Sequence, residues 1–164
     1  MHPRTMQIHA HTAYTQWLSL EPWDLFLTMT DHTICHPEKM YKRTRHAMNL
    51  INTSLYGKNF YKQGKGVEYV IGIERQKRFS AHSHTIIRLP DHDVRDRDQF
   101  PLGYWHKTIN ELGGRAKLEL PLNSLAICDY VTKYVCKEGE LYFSETFHPA
   151  MPKAFSHTLF GTVH

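Results

Sequence analysis

Residues 67–89 have the sequence VEYVIGIERQKRFSAHSHTIIRL. Two runs rich in β-branched residues, at about 67–74 and 82–89, flank a short polar and basic connection, and Pro90 and Asp91 supply a turn afterwards. Alternating runs of this length and composition are typical of strands, and the connection suits a hairpin. The segment therefore predicts two adjacent antiparallel strands, around which the rest of the chain can be placed.

The elements on either side of this hairpin predict the fold class. A strand is expected at 24–30, and Pro37 suits the first position of a helix that continues to about Leu55. After the hairpin we expect a helix at 103–112, a strand at 115–120, and a last helix capped by Asn123 or Ser124 and ended by Gly139. The order β-α-β-β-α-β-α predicts an α+β fold, a central antiparallel sheet with helices packed mainly on one face.

Length and composition narrow the class of protein. The 164 residues suit a single domain spanning 1–164, with a loosely packed N-terminal arm at 1–22 and a C-terminal extension at 141–164. No apolar run long enough for a membrane span and no signal-peptide pattern is present, so no membrane partner is expected. Three cysteines without paired spacing indicate free thiols in a reducing compartment, and the net charge of +4 is compatible with nucleic acid.

The hairpin carries a candidate metal site. Side chains on a strand alternate between faces, so His82 and His84 point the same way, and Glu74 ends the neighbouring strand close to His82. Two imidazoles and a carboxylate form a three-ligand set that suits Mn²⁺ or Mg²⁺ and leaves positions open. The alternative is a chance pair of surface histidines among the thirteen in the chain. The histidine pair at 9–11 repeats the spacing but follows no acidic strand and lies near the N-terminus, so that pair is interpreted as incidental. The cluster at 32–36 matches no zinc-binding spacing and is interpreted as a loop.

A candidate nucleophile lies downstream, in residues 130–137, where Tyr-x-x-Lys occurs twice in tandem. On a helix, positions three or four residues apart share a face, which would align Tyr130, Lys133, Tyr134 and Lys137. Cys128, Val131 and Val135 would then pack onto the core from the other side. Phenols backed by lysines can attack phosphodiesters. The alternative is an ordinary amphipathic helix with half-buried tyrosines.

Basic residues are concentrated between positions 39 and 65 and in the hairpin connection. Aromatic residues at 41, 56, 60 and 61 are interspersed among them, a combination that offers phosphate contacts and rings for base stacking. The alternative is a solvated helix face with its aromatics turned inward. The candidate DNA-binding residues are Lys39, Lys42, Arg43, Arg45, Arg75, Lys77 and Arg78.

In their order along the chain, these motifs resemble those of the HUH endonucleases, the single-strand DNA nickases of rolling-circle replication, plasmid transfer and some transposition. The early strand 24–30, ending in threonine, resembles a third motif of that family, and the tandem tyrosines are most similar to two-tyrosine initiators of small single-stranded DNA phages and plasmids. One departure is Ser83, which stands where the family usually has a bulky apolar residue. It faces away from the metal side, so we expect looser packing beneath the strand but intact ligation.

The resemblance implies a ferredoxin-like or RRM-like sheet and an enzyme that nicks and rejoins single-stranded DNA at an origin. Tyr130 would attack first, forming a covalent 5′-phosphotyrosine, and Tyr134 would attack later, while Lys133 and Lys137 stabilise charge. The divalent metal would be held by Glu74, His82 and His84. Because the sequence has no phosphate-binding loop of a helicase, a host helicase and polymerase are expected partners, in the cytoplasm of a host that is expected to be bacterial.

Four other functions remain open from the sequence. A conjugative relaxase or a tyrosine transposase would use the same chemistry, although relaxases place their tyrosines before the histidines and single-tyrosine transposases do not need Tyr134. A non-catalytic nucleic-acid-binding module would instead use exposed aromatics on the sheet, for which Tyr69 is the one strong candidate in the hairpin. A small metallohydrolase would use metal-bound water and leave no covalent adduct.

Overall fold

A five-stranded antiparallel sheet forms the centre of the protein, in the strand order β4-β1-β3-β2-β5. The computed structural model describes residues 3–75, 80–90, 100–133 and 140–147. The strands are β1 (Leu25–Thr30), β2 (Glu68–Arg75), β3 (Ala81–Arg88), β4 (Arg115–Glu119) and β5 (Glu140–Phe143). The helices are α1 (Pro3–Ser19), α2 (Pro37–Tyr56), α3 (Leu102–Asn110) and α4 (Ser124–Thr132), with a 3₁₀ turn at Phe60–Gln63.

The predicted α+β fold is confirmed, and the hairpin lies at the middle of its sheet. β2 and β3 pair antiparallel over their whole length, with Glu74 opposite His82 and Gly72 opposite His84. The segment from β1 to β4 has the β-α-β-β-α-β order of ferredoxin-like folds. No helix in the described part of the chain is long and apolar enough to cross a membrane.

Helices cover both faces of the sheet, which corrects the prediction that they lie mainly on one. α2 and α3 pack on the face of Leu27, Ile71 and Ile87, whereas α4 packs on the opposite face and carries α1 on top of it. The hairpin sequence already indicates that both faces are covered. Val70 and Ile71 are both fully buried although they are consecutive and point to opposite faces, as strands with two covered faces require.

The N-terminal arm predicted for residues 1–22 is also corrected, because residues 3–19 form a helix. Trp17 and Leu18 are buried, and the indole of Trp23 donates a hydrogen bond to the Leu18 carbonyl at 2.7 Å. Tyr14, Trp17 and Leu18 have the i, i+3, i+4 spacing of a helix that buries one face, a signal obscured by the polar, histidine-rich residues around them.

Part of the predicted C-terminal extension completes the sheet. β5 pairs antiparallel with β2, with Tyr142 opposite Ile71, and Phe147 packs into the core beneath α1. Residues 148–164 lie outside the described residues.

The start of α2 is fixed by a charged cluster around Asp31. Arg43 donates to its carboxylate at 2.9 Å, and Lys39 lies 3.5 Å away. Burial by itself would raise the pKa of Asp31, but hydrogen bonds from Thr33 and the charges of Arg43 and Lys39 outweigh it and lower the pKa to about 2. The carboxylate therefore stabilises the folded state as long as it is ionised.

We predict that Asp31→Asn lowers the free energy of unfolding by about 1–2 kcal/mol at pH 7, because the largely buried Arg43 loses its counter-charge. The pKa of Asp31 in the folded protein lies below its ordinary value, so this contribution is complete above about pH 4 and is lost as the pH falls through about 2. Urea unfolding at a series of pH values from 7 to 2.5 measures the difference.

The matched control is Glu38→Gln, since Glu38 forms a solvent-exposed i,i+4 pair with Lys42 at 2.7 Å, and the substitution should affect unfolding much less than Asp31→Asn does. A difference between Asp31→Asn and wild type that stays constant down to pH 2.5 would contradict the assignment of a depressed pKa.

Candidate active site

The three predicted metal ligands lie on one face of the sheet. Directly opposed residues of antiparallel strands share a face, so the pairing of Glu74 with His82 and of Gly72 with His84 places Glu74 beside both histidines. Ser83 points to the other face, where its hydroxyl lies 2.7 Å from that of Thr44 on α2. At this position the HUH family usually has a bulky apolar residue, and here the buried Ser83–Thr44 hydrogen bond takes the place of its apolar packing.

His84 is the most enclosed member of this group, with 2% of its surface exposed. Its Nε2 lies 3.3 Å from Glu74 Oε2 and its Nδ1 lies 3.4 Å from Thr28 Oγ1. Burial lowers the pKa of His84, although the Glu74 carboxylate acts in the opposite direction. The imidazole is therefore neutral at pH 7, and one tautomer satisfies both neighbours, with Nε2–H donating to Glu74 and Nδ1 accepting from Thr28.

Helix α4 brings Tyr130 against this histidine. The ring centroids of Tyr130 and His84 are 4.6 Å apart with their planes nearly perpendicular, and Phe26 contacts both rings at 6.1 Å. Cys128 and Val131 on the same helix are fully buried, as predicted, whereas Tyr130 is 41% exposed. The phenol therefore lies at the edge of the candidate ligand group and is open to solvent.

Close approach of α4 to the sheet depends on Gly72. A Cβ atom at position 72 would lie 2.7 Å from the carbonyl oxygen of Val131 and 3.3 Å from Val131 Cγ1. Side chains do not tolerate such contacts, so a glycine opposite His84 is required for the helix to lie flat on β2. Sequence reasoning missed this role, although a lone glycine inside a strand is a known sign that another backbone approaches closely.

α4 is also held at both ends. The Asn123 side chain accepts a hydrogen bond from the Ala126 amide at 3.2 Å and caps the N-terminus, as predicted. Near the C-terminus, the buried hydroxyls of Thr132 and Thr15 lie 2.6 Å apart, which ties α4 to α1. His11 Nε2 lies 3.2 Å from Asp129 Oδ1, so the histidine pair interpreted as incidental contributes a contact beside Tyr130.

The remaining residues of the tandem motif are only partly described. Lys133 is exposed and follows the last residue of α4. Tyr134, Val135 and Lys137 lie outside the described residues, so the predicted alignment of two phenols on one helix face stays a prediction.

The donor set fits a divalent cation chemically. Two ligand atoms each about 2.1 Å from one ion, at an angle of about 90–110°, lie about 3.0–3.4 Å apart. The 3.3 Å separation of His84 Nε2 and Glu74 Oε2 falls in that range. A neutral imidazole binds metal through its unprotonated nitrogen, so ligation by Nε2 uses the other tautomer, with the proton on Nδ1 facing Thr28 Oγ1. Within residues 3–75, 80–90, 100–133 and 140–147, however, no three His, Cys, Asp or Glu side chains converge as a preformed metal site. Metal binding by Glu74, His82 and His84 remains a prediction.

Most candidate DNA-binding cations in the described part of the chain do not lie with the candidate metal ligands and Tyr130. Those of α2 lie across the sheet from Tyr130, where Lys39, Lys42 and Arg45 are exposed and Arg43 is largely buried against Asp31. Arg75 lies 3.7 Å from Glu140 at the β2–β5 edge. Lys77 and Arg78 lie outside the described residues. The structure therefore does not bring the α2 cations to the face of the candidate active site.

A known protein family matches the part of the chain that carries the candidate active site. The family model described as Replication-associated protein ORF2 matches residues 24–139, which is well over half of the chain. The chain belongs to this family. The match begins just before β1 and includes the hairpin and α4, so it spans every strand and helix that positions Tyr130 and His84 except α1. No curated protein and no solved structure gives a significant match.

We predict that Gly72→Ala destabilises the fold by about 1–3 kcal/mol, because the added methyl group meets the Val131 carbonyl and forces α4 outward. The displacement should also separate the Tyr130 and His84 rings. Urea unfolding measures the first effect, and the ring-current shift of the Tyr130 resonances in an NMR spectrum measures the second.

Gly103→Ala is the matched control, since a Cβ at this exposed position of α3 would meet nothing within 4 Å. It should leave stability unchanged or raise it slightly, as alanine favours helix over glycine. Equal stability of the two variants would show that α4 does not depend on the close approach at Gly72.

Proposed function

We propose that this replication-associated protein nicks and rejoins single-stranded DNA through a covalent 5′-phosphotyrosine, and that nicking at an origin initiates rolling-circle replication. The observation that supports the proposal most strongly is the contact between the solvent-open Tyr130 and the His84–Glu74 pair. Family membership supports a role in replication, and the Tyr130 contact supports the chemistry by which that role would be carried out.

Tyr130 would act as the nucleophile. Its phenol oxygen attacks the scissile phosphorus, the bond from phosphorus to the 3′ oxygen breaks, and the phenol proton is lost as the 3′ oxygen becomes a hydroxyl. One phosphodiester is exchanged for another, so no external energy source is needed and the free 3′ hydroxyl can reverse the step. Lys133, which is exposed and three residues after Tyr130, would favour the phenolate and stabilise the charge that builds on the phosphate oxygens.

His84, His82 and Glu74 would hold a divalent cation opposite the phenol, at the position where the scissile phosphate binds. With a cation on Nε2, His84 would carry its proton on Nδ1 and donate it to Thr28 Oγ1, which lies 3.4 Å away, and this contact would keep the ring orientation constant while substrate enters. A Mn²⁺ or Mg²⁺ ion held by these three residues would act as a Lewis acid on the phosphate. The ring of Phe26 limits water on the buried side of both His84 and Tyr130.

Tyr134 and Lys137 would complete a second round of transfer. Once replication has regenerated the origin, the Tyr134 phenol would attack the new junction, and the 3′ end released there would displace Tyr130 from its phosphotyrosine. Unwinding and synthesis would come from a host helicase and polymerase in the host cytoplasm.

We predict that Tyr130→Phe lowers the yield of covalent protein–DNA adduct by at least about 1,000-fold, because the nucleophilic oxygen is removed while the ring packing against His84 is kept. The assay incubates the protein with labelled single-stranded oligonucleotides and Mn²⁺ and detects a band that survives denaturation. Tyr104→Phe is the matched control, since Tyr104 is exposed on α3 and is distant from α4 in the fold.

An adduct of undiminished yield in Tyr130→Phe would transfer the nucleophilic role to another residue, and peptide mapping would test Tyr134 first. Nicking without any adduct in the wild-type protein would instead favour a metallohydrolase that uses water. DNA binding without nicking would favour a non-catalytic module.

We predict that His84→Ala weakens Mn²⁺ binding by at least about 100-fold, because a neutral, preoriented imidazole is removed from the donor set. Isothermal titration with Mn²⁺ measures binding independently of nicking. His46→Ala provides the control, since His46 is exposed on α2 across the sheet. Wild-type affinity in His84→Ala would remove His84 from the proposed ligand set.

A further inference from the structure

A second concave site lies on the other face of the sheet. A cavity of about 500 Å³ opens between α2, the 3₁₀ turn, the start of β2 and the turn that follows β5. Tyr69, which lines the cavity, is five residues before Glu74 on β2, about 17 Å along the strand, and pairs with Ile87 on the α2 side of the sheet. The cavity is therefore separate from the candidate active site.

Hydrogen bonds fix the walls of this cavity in place. Buried Asn52 accepts from the Val67 amide at 2.7 Å, and Thr146 donates to the Val67 carbonyl at 2.9 Å. Ser144 accepts from the Tyr69 amide at 3.0 Å, which joins the turn after β5 to the start of β2. A Cβ at Gly66 would come within 3.3 Å of Thr146 Cγ2, so the strand entry fits tightly against this turn.

Aromatic rings surround the opening. Tyr61 is 63% exposed and is supported from the side by the edge of Phe60, with ring centroids 5.8 Å apart. Tyr41 lies deeper and stacks on Tyr142 with centroids 4.0 Å apart. Exposed rings on a fixed support are the surfaces on which unpaired bases stack, whatever the base.

Polar groups of the kind that bind nucleotides lie among these rings. The Arg45 guanidinium is 5.9 Å from the Tyr41 ring centroid and lies beside the Tyr69 phenol and the Glu145 carboxylate. Lys65 and the exposed Asn49 also line the cavity. Amide side chains read base edges, and cations bind the phosphates that flank a base. This mixture favours a flat, polar heterocycle attached to phosphate over a purely apolar ligand.

We propose that this cavity binds one unstacked nucleobase of the single-stranded DNA. The base stacks on Tyr61, Asn49 contacts its edge, and Arg45 and Lys65 bind the adjoining phosphates. The proposal rests on the proposed function only in taking single-stranded DNA as the ligand. Because the cavity lies apart from Tyr130, the nucleotide bound there is not the one that carries the scissile phosphate. The protein would therefore recognise a base at a position on the strand that it does not cleave.

Photo-crosslinking tests this placement independently of nicking. The full chain carrying Tyr130→Phe, which blocks the proposed adduct, is mixed with a 20-nucleotide single-stranded oligonucleotide of random sequence containing 5-iodo-2′-deoxyuridine, irradiated, and mapped by peptide mass spectrometry. We expect cross-links on Phe60, Tyr61 or Tyr41. Cross-links confined to other parts of the chain would overturn the proposal.

Binding measurements test the role of the base itself. Wild-type protein should bind the random oligonucleotide more tightly than an abasic oligonucleotide of equal length and charge, and Tyr61→Ala should weaken binding of the base-bearing strand by at least about fivefold, the effect of losing one base–aromatic stack. Tyr61→Phe should restore affinity, and Tyr104→Ala, which removes an equally exposed ring elsewhere, should leave it unchanged.

Equal loss in Tyr61→Ala for base-bearing and abasic strands, or no loss for either, would overturn base recognition at this cavity. The proposed function fails separately, through the absence of a covalent adduct in the wild-type protein. Cross-links at the cavity without any adduct would leave the base pocket standing and remove the nickase assignment.

Discussion

The carbonyl oxygen of Val131 lies 2.7 Å from the point where a side chain at position 72 would begin. Only glycine permits this approach of a helix backbone to a strand, and both sides of the contact matter for the site. Gly72 is opposite His84 on the neighbouring strand, and Val131 follows Tyr130 on α4. The one contact therefore sets the distance between the phenol and the imidazole, and the α1–α4 hydroxyl pair keeps the helix in that position.

The two faces of the sheet carry different groups of residues. The α2 face holds the larger apolar core and, at its β5 edge, the aromatic cavity. The α4 face holds a smaller cluster around Trp17, Trp23 and Val131, and beside it the polar group of His84, Glu74 and Thr28. A DNA strand that contacts both faces has to pass around the sheet, which would keep its recognised base and its scissile phosphate well apart.

Local patterns in the sequence predict much of this arrangement. The β-branched runs predict the hairpin, and the two-residue period of a strand predicts that His82 and His84 share a face, because both depend only on neighbouring residues. Contacts distant in sequence were not predictable in the same way. The roles of Gly72, Phe26 and Thr28 depend on which helix covers which face, and α1 was missed because polar residues obscure its buried stripe of Tyr14, Trp17 and Leu18.

The proposed mechanism requires one cation site and the Tyr130 phenol to belong to the same centre on the α4 face. Fluorine NMR of the protein labelled with 3-fluorotyrosine tests it directly, because bound Mn²⁺ broadens the resonances of nearby nuclei. If the cation site and the phenol share one centre, substoichiometric Mn²⁺ broadens the Tyr130 resonance, while that of Tyr61, at the cavity on the opposite face, stays sharp. Selective broadening of Tyr61, or Mn²⁺ binding that leaves Tyr130 sharp, would contradict the proposed mechanism.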